Sequence, residues 1–189
     1  TRDVSAITNH LAVVPIVLPL AAAALTLLIT ERQRDLRVAV SFAATVALML
    51  ISSTLLLTVS GQNAGAGTAI VYQLGGWPAP FGIVLVVDRL SAMMVTLSST
   101  LALAALVFSL ARWDRAGPRF HALFLLLLAG LNGAFLTGDL FNLFVFFEVL
   151  LAASYGLVLH GSGAPRVKAG LRYIAVNLGA SSLFLIAVS

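Results

Sequence analysis

Glu148 is the residue of this chain most able to do chemistry, because it is a carboxylic acid inside the apolar stretch FNLFVFFEVLLAASYGL. If that stretch is a membrane-crossing helix, Glu148 lies about 13 Å from Asp139 and about 18 Å from His160, at about 1.5 Å per residue. An ionisable group at this depth costs about 2.5–3.5 kcal/mol on insertion scales and by default marks an ion or proton pathway. Glu148 is therefore predicted to relay protons or ions; the alternative is a protonated glutamate that only bridges two helices.

Tyr155 and His160 are candidates for further steps of the same pathway. Tyr155 follows Glu148 by seven residues, close to two helical turns, so the two side chains share a face of the helix. His160 ends the stretch, where an imidazole can hand protons to water near neutral pH. Simpler explanations stay open for both, because interfacial tyrosines and histidines at helix C-termini are common without any transport role.

The other polar residues of the apolar stretches are predicted to have structural roles. Asp88 and Asp139 each precede an apolar stretch, where a carboxylate can accept hydrogen bonds from free backbone N–H groups as a helix N-cap. Asn132, Asn142 and Asn177 are buried amides of the kind that join neighbouring helices.

Several kinds of site have no support in the sequence. The chain has no cysteine, which excludes a disulfide framework, a thiolate metal site and iron–sulfur ligation. It contains no glycine-rich phosphate loop, no zinc-protease motif and no defensible Ser/His/Asp grouping. We therefore predict neither a cofactor nor a metal. The net charge of +4 does not indicate a nucleic-acid partner either, because the basic residues are dispersed over short loops.

The composition fixes the class of protein that must position these residues. Of 189 residues, 60% are hydrophobic and 10% are charged, and the mean hydropathy is +1.06. Apolar runs long enough to cross about 30 Å of hydrocarbon recur along the chain. The sequence predicts an all-α, polytopic transmembrane bundle in a single domain. Its six spans are predicted at residues 11–29, 38–60, 90–111, 120–136, 140–160 and 171–189.

One stretch between the second and third spans does not have a helical pattern. TAIVYQL and FGIVLVV are predicted to be two strands joined by the turn GGWPAP, which gives a short β-hairpin. Between the fourth and fifth spans only the turn TGD intervenes, so these two spans must be antiparallel neighbours.

Arginine and lysine fall almost entirely on alternate loops, which predicts the orientation of the chain. The loops after the first, third and fifth spans hold Arg32, Arg34, Arg37, Arg112, Arg115, Arg119, Arg166 and Lys168. The opposite side holds only Arg2 and Arg89. Because cations are retained on the cytoplasmic side, the N-terminus and the hairpin are predicted to lie outside the cell. The chain begins at Thr1 and stops within an apolar run, so we expect it to be part of a longer polypeptide.

Three segments resemble one family of transport proteins. TGDLFNLFVFFEVLLAASYGL at 137–157 resembles the fifth helix of the D-type subunit of Mrp Na⁺/H⁺ antiporters, whose family includes the pumping subunits of respiratory complex I and of membrane-bound hydrogenases. GGWPAPFGIVLVVDRLSAMM at 75–94 is similar to the approach to its third helix, and LRYIAVNLGASSLFLIAVS at 171–189 to its sixth. Phe147 stands before Glu148, where the complex I relatives more often have tryptophan.

The resemblance implies a larger subunit with inverted helical repeats, each holding a broken helix and a buried lysine. The glutamate of the family's fifth helix falls on Glu148, and its lysine partner lies on a later helix that this chain does not reach. The function it implies is a proton-translocating subunit of a multi-subunit Na⁺/H⁺ antiporter in the plasma membrane. Its partners would be other subunits of the complex, the lipid bilayer, protons and Na⁺.

Two other interpretations of the sequence remain open. The first is a proton-pumping, non-catalytic subunit of a redox enzyme, whose redox centres would lie on other subunits. The second is a purely structural membrane subunit, in which Glu148 is a buried hydrogen-bond donor. In none of the three would the chain itself be an enzyme.

Overall fold

The computed structural model describes residues 10–30, 32–61, 69–76, 82–117, 119–161 and 163–188. These residues form six α-helices and a two-stranded antiparallel sheet, which confirms the predicted fold class. The helices are α1 (Val14–Leu28), α2 (Arg34–Gly61), α3 (Arg89–Leu110), α4 (Phe120–Leu136), α5 (Leu140–Val158) and α6 (Ala164–Val188). The strands are β1 (Ile70–Gln73) and β2 (Val84–Val87), and short 3-10 helices cover Leu74–Gly76 and Trp113–Ala116.

The helices do not coincide with the predicted spans at every end. Helix α2 begins four residues earlier than its span and α6 seven residues earlier, whereas α5 ends at Val158 rather than His160. By length and apolar composition, α2, α3, α5 and α6 can each cross a membrane, whereas α1 and α4 are shorter. Hydropathy detects only the apolar part of a helix, while backbone hydrogen bonds continue into polar turns such as that of Arg34 and Asp35.

Helix α4 lies at the centre of the bundle and packs against α1, α3 and α5. Two glycines of α4 allow α5 to approach closely. A Cβ on Gly133 would overlap the ring of Phe146, and one on Gly130 would lie 2.7 Å from the backbone nitrogen of Leu150. Small residues of this kind are the usual means of bringing membrane helices together. The close contact fixes the position of α5.

Asn132 of α4 joins three helices, as predicted for a buried amide. It is fully buried, its Nδ2 donates to the carbonyl of Pro15 in α1 at 2.9 Å, and its Oδ1 accepts from Ser98 of α3. Pro19 lies four residues after Pro15 and has no N–H, so the Pro15 carbonyl lacks its partner within the helix. Asn132 supplies the missing donor from the neighbouring helix.

The predicted hairpin is confirmed and packs on the turn between α4 and α5. Strands β1 and β2 pair in antiparallel register, with Tyr72 opposite Leu85. Leu85 also forms a bridge with Thr137, and the N–H of Gly138 donates to the carbonyl of Val84 at 2.9 Å. The turn predicted at GGWPAP lies mostly outside the described residues.

Both predicted N-caps are present. Asp88 accepts from the N–H of Ser91 at 2.7 Å, and the hydroxyl of Ser91 accepts from the N–H of Asp88 at 2.9 Å. The hydrogen bonds that the Asp88 carboxylate accepts from the backbone N–H and the side chain of Ser91 hold the pKa of Asp88 below its usual value, because they favour the ionised form. Asp139 accepts from the N–H groups of Phe141 and Asn142 and so defines the start of α5.

The loops that precede α2, α4 and α6 meet at one end of the bundle, which we call the arginine-rich end. Arg34 at the start of α2 pairs with Asp114 in the loop before α4, with 2.5 Å between Nη2 and Oδ2. In the same loop, the ring of Trp113 lies 5.1 Å from the guanidinium carbon of Arg166 near the start of α6. Since loops that follow alternate helices share this end, successive helices run in opposite directions.

Candidate functional site

Glu148 lies in the middle of α5, on the side that faces α6. The N-cap at Asp139 sets the start of the helix, and the glycines of α4 hold the opposite side of α5 against the bundle. Glu148 is half-buried, and its Oε1 accepts a hydrogen bond from the hydroxyl of Ser181 on α6. The carboxylate therefore lies between two helices, with a protein partner, rather than projecting freely away from the bundle.

A cavity of about 250 Å³ adjoins Glu148 between α5 and α6. Most of its lining is apolar, and the rings of Phe144 and Phe184 stack across it at 6.2 Å between centroids. Its polar groups besides the carboxylate are Asn177 and Ser181. Few groups in this lining can compensate a charge, so the protonation state of Glu148 governs how polar the cavity is.

Ser181 is a site residue that sequence reasoning missed. Within LRYIAVNLGASSLFLIAVS, it follows Asn177 by four residues and so shares a face of α6 with it. That spacing could have identified a polar face on α6. It could not have shown that this face lies opposite Glu148, thirty-three residues away in the chain.

Tyr155 is at the same α5–α6 interface as Glu148, but it packs against an aromatic partner. Its ring meets that of Tyr173 edge-on, with 5.6 Å between centroids. The hydroxyl of Tyr173 lies 3.4 Å from that of Ser154. Seven residues separate Tyr155 from Glu148, about 10 Å along the helix axis, so other groups must bridge this distance if protons pass between them.

His160 lies just beyond the end of α5, in the turn at the arginine-rich end. Its Nε2 donates to the carbonyl of Trp113 at 3.0 Å, and its ring packs against Phe120 at 5.5 Å between centroids. Arg166 donates to the carbonyl of His160. A Cβ on Gly117 would lie 2.8 Å from the His160 ring, so a larger residue there would make the ring shift. The structure does not place His160 beside Glu148.

The other two predicted helix-joining amides have different partners. Asn142 donates to the hydroxyl of Thr137 at 3.0 Å, and because Thr137 is the C-cap of α4, this bond links the start of α5 to the end of the neighbouring helix. Asn177 donates to the carbonyl of Tyr173 in its own helix at 2.9 Å. Among the described residues Asn177 therefore does not join two helices, because its amide is satisfied by nearby backbone. Among the described residues, no group of three His, Asp or Glu side chains could hold a metal ion.

Comparison with known proteins gives relatives over nearly the whole chain. It is 64% identical over 182 residues to the D subunit of a probable K(+)/H(+) antiporter of Rhizobium meliloti, covering 96% of this chain and 34% of the relative. It is 41% identical to the D subunit of an Na(+)/H(+) antiporter of Alkalihalophilus pseudofirmus, covering 96% of this chain and 36% of the relative. The chain thus spans about a third of these relatives' length. No family model matches it.

Two solved structures share the fold. A chain of the Mrp complex from Dietzia sp. DQ12-45-1b superimposes with a TM-score of 0.86 at 36% identity, covering 95% of this chain and 33% of that chain. A chain of the membrane-bound sulfane sulfur reductase, an archaeal respiratory membrane complex, gives a TM-score of 0.84 at 29% identity, covering 93% of this chain and 35% of that chain. The chain is therefore a multi-pass membrane protein of antiporter-like architecture.

Proposed function

The chain is homologous to the D-type subunits of multi-subunit cation/proton antiporters, and on this ground we propose that it translocates protons in such an antiporter. The resemblance seen in TGDLFNLFVFFE is thereby confirmed at the level of the family. The chain covers about a third of the length of its relatives. The proposal therefore also includes the activity of the whole protein, the cation that it transports and its partner subunits.

The position of Glu148 is the observation that carries the proposal. An ionisable group in the middle of a membrane helix makes insertion into the bilayer unfavourable. Such a group is therefore expected to have a partner or to belong to an ion or proton pathway. Here it lies half-buried against Ser181, beside a cavity between two helices. As a carboxylate it accepts the Ser181 hydrogen bond, and as a neutral acid it can donate its own proton. Loading and unloading that proton is the step that Glu148 contributes.

The remaining steps of the proposed relay are inferred from the family resemblance and from residues of α5 and the turn after it. The family resemblance implies a lysine on a later helix, whose charge would favour release of the proton from Glu148. Tyr155, packed on Tyr173, and His160, at the arginine-rich end, are the proposed further members on the way to solvent. The aromatic pair is the part of this path closest to Glu148.

Replacing Glu148 with glutamine tests the relay, because the amide keeps the shape but carries no exchangeable acid proton. We expect Glu148→Gln in the complete antiporter to abolish cation-dependent proton efflux from inside-out vesicles, with normal amounts of assembled complex. Asp35→Asn is the matched control, since Asp35 is a carboxylate whose side chain is fully exposed. Full antiport in the Glu148 variant would refute the relay. Normal antiport in Glu148→Gln together with failed assembly of Glu148→Ala would favour the purely structural role.

A second candidate is a proton-pumping subunit of a redox enzyme. The fold shared with the sulfane sulfur reductase complex supports it, although the identity is lower than to the antiporter subunits. Flavin and iron–sulfur proteins co-purifying with the full subunit would favour this candidate. Their absence, together with cation-dependent proton efflux, would favour the antiporter.

We also propose a plasma-membrane location, with six crossings, the N-terminus outside and the arginine-rich end in the cytoplasm. The distribution of arginine and lysine supports this orientation, as does the meeting of the three basic loops at one end.

A further inference from the structure

A second group of polar side chains, two of them buried, lies at the arginine-rich end, away from Glu148. It consists of Arg34 of α2, Asp114 of the loop before α4, and His121, the second residue of α4. The side chain of Asp114 is wholly buried, and its Oδ2 accepts from Nε of Arg34 at 2.6 Å. His121 is 4% exposed, and its Nε2 lies 4.0 Å from the same carboxylate oxygen.

Three buried atoms of this group have no hydrogen-bond partner among the described residues. They are Oδ1 of Asp114 and both ring nitrogens of His121. A buried polar atom left without a partner destabilises the fold, and a single one in a native structure calls for an explanation. An imidazole beside a carboxylate is a pair that can take up and release a proton near neutral pH. Proton exchange therefore accounts for the arrangement.

A cavity of about 660 Å³ borders His121 at the arginine-rich end. It lies between the end of α1 and the start of α4, and its polar lining besides His121 comes from Thr26, Thr30, Arg37 and Arg119. Thr30 and Arg119 are exposed, so the cavity opens at the arginine-rich end. The aromatic pair and the cavity beside Glu148 belong to a different interface, between α5 and α6.

Charges of both signs act on the His121 ring from the elements around it. Asp114 in the preceding loop attracts a cationic ring, whereas Arg34 and Arg37 of α2 and His160 after α5 repel it. Because Asp114 also pairs with Arg34, a proton on His121 would place two cations beside one carboxylate. Protonation is therefore coupled to the ion pair that joins α2 to the loop before α4.

We propose that His121 and Asp114 form a second proton-binding site, where the subunit exchanges protons with the solution at its arginine-rich end. The proposal rests on the proposed function. It adds a group that exchanges protons with bulk solvent, which Glu148 in the middle of α5 does not do directly. In the loading step, hydronium reaching the cavity gives its proton to a ring nitrogen of His121 and leaves as water. Asp114 stays ionised and holds the cation, and release is the reverse.

A titration of the histidine rings in the intact complex tests the site directly. With ¹³C-labelled histidine and solid-state NMR, we expect one ring signal, missing in His121→Gln, to change from the neutral to the cationic form as the pH is lowered. In Asp114→Asn this change should require a lower pH, because the attracting carboxylate is gone. A His121 signal that keeps one protonation state over the whole pH range in which the complex stays assembled would overturn the proposal. The titration itself is recorded on the native protein, and the two variants serve only to identify the signal and to measure the influence of Asp114.

Antiport measured against pH provides the functional test. We expect His121→Gln to lower the rate of antiport about tenfold at the pH where proton exchange limits transport. His10→Gln is the matched control, since His10 is exposed at the opposite end beside Tyr72. An unchanged pH profile in His121→Gln would contradict a role in transport. Full activity of Glu148→Gln would instead refute the Glu148 relay and leave the ring titration to decide the second site.

Discussion

At the level of single residues, the contact between Glu148 and Ser181 gives the carboxylate a hydrogen-bond donor between two helices. A carboxylate between helices needs a donor, and the hydroxyl of Ser181 is the donor that the described residues provide.

Asp88 and Asp139 show which contacts can be predicted from the sequence. Their partners lie within three residues along the chain, so a cap can be predicted from sequence. Ser181 and the group around His121 could not, because their partners come from distant segments.

Removing the Ser181 hydroxyl should impair transport through Glu148. In Ser181→Ala, the carboxylate loses its donor, and we expect the rate of antiport to fall about tenfold, in proportion to a lost charged hydrogen bond of about 1.5 kcal/mol. Ser182→Ala is a matched control, because the adjacent hydroxyl donates only to the carbonyl of Leu178 in its own helix. Antiport rates in inside-out vesicles compare the two variants. Equal rates for both would mean that the Ser181 contact does not matter for transport.

At the level of helices, hydropathy located every apolar segment but not every helix end. It missed the first turns of α6, because Arg166 and Lys168 are polar and yet helical. Hydropathy also could not tell that α4 is the central helix, since α1 and α5 are about as apolar as α4. The glycines that allow α5 to approach α4 are visible in the sequence, but only the structure assigns their neighbours, Phe146 and Leu150.

The bond between Asn132 and Pro15 predicts a specific coupling between α4 and α1. Asn132→Leu should lower the free energy of unfolding by about 1–3 kcal/mol, because it leaves the Pro15 carbonyl buried without a donor. Pro19→Ala restores an N–H four residues after Pro15, so the same Asn132 change should cost less in that background. Unfolding of the purified complex in SDS can measure this double-mutant cycle.

Asn177→Leu is the control for this cycle, since within the described part of the chain Asn177 bonds to a carbonyl of its own helix. We expect it to show no coupling to Pro19→Ala. If the Asn132 and Pro19 effects simply add, the carbonyl of Pro15 is not the group that Asn132 stabilises.

At the level of the whole molecule, α6 packs on α5 and leaves much of its apolar surface uncovered. Val176 and Leu183 are 72% and 69% exposed. An apolar helix of this length fits lipid or further helices better than water. The curated relatives are about three times as long as this chain, which is consistent with more helices beside α6. These further helices would then close the remaining side of the cavity beside Glu148.

The proposed orientation predicts which end of the bundle an impermeant reagent can reach from outside. The sequence of this chain has no cysteine, so single cysteines can be introduced at Gln73 in β1 and at Arg115 at the arginine-rich end, both of which are exposed. In intact cells, a membrane-impermeant maleimide should label Gln73→Cys at once and Arg115→Cys only after permeabilisation, because cationic loops are retained in the cytoplasm. The reverse pattern would place the His121 cavity on the outer face. Labelling of both sites in intact cells would contradict six crossings, since the two ends of the bundle would then share one side of the membrane.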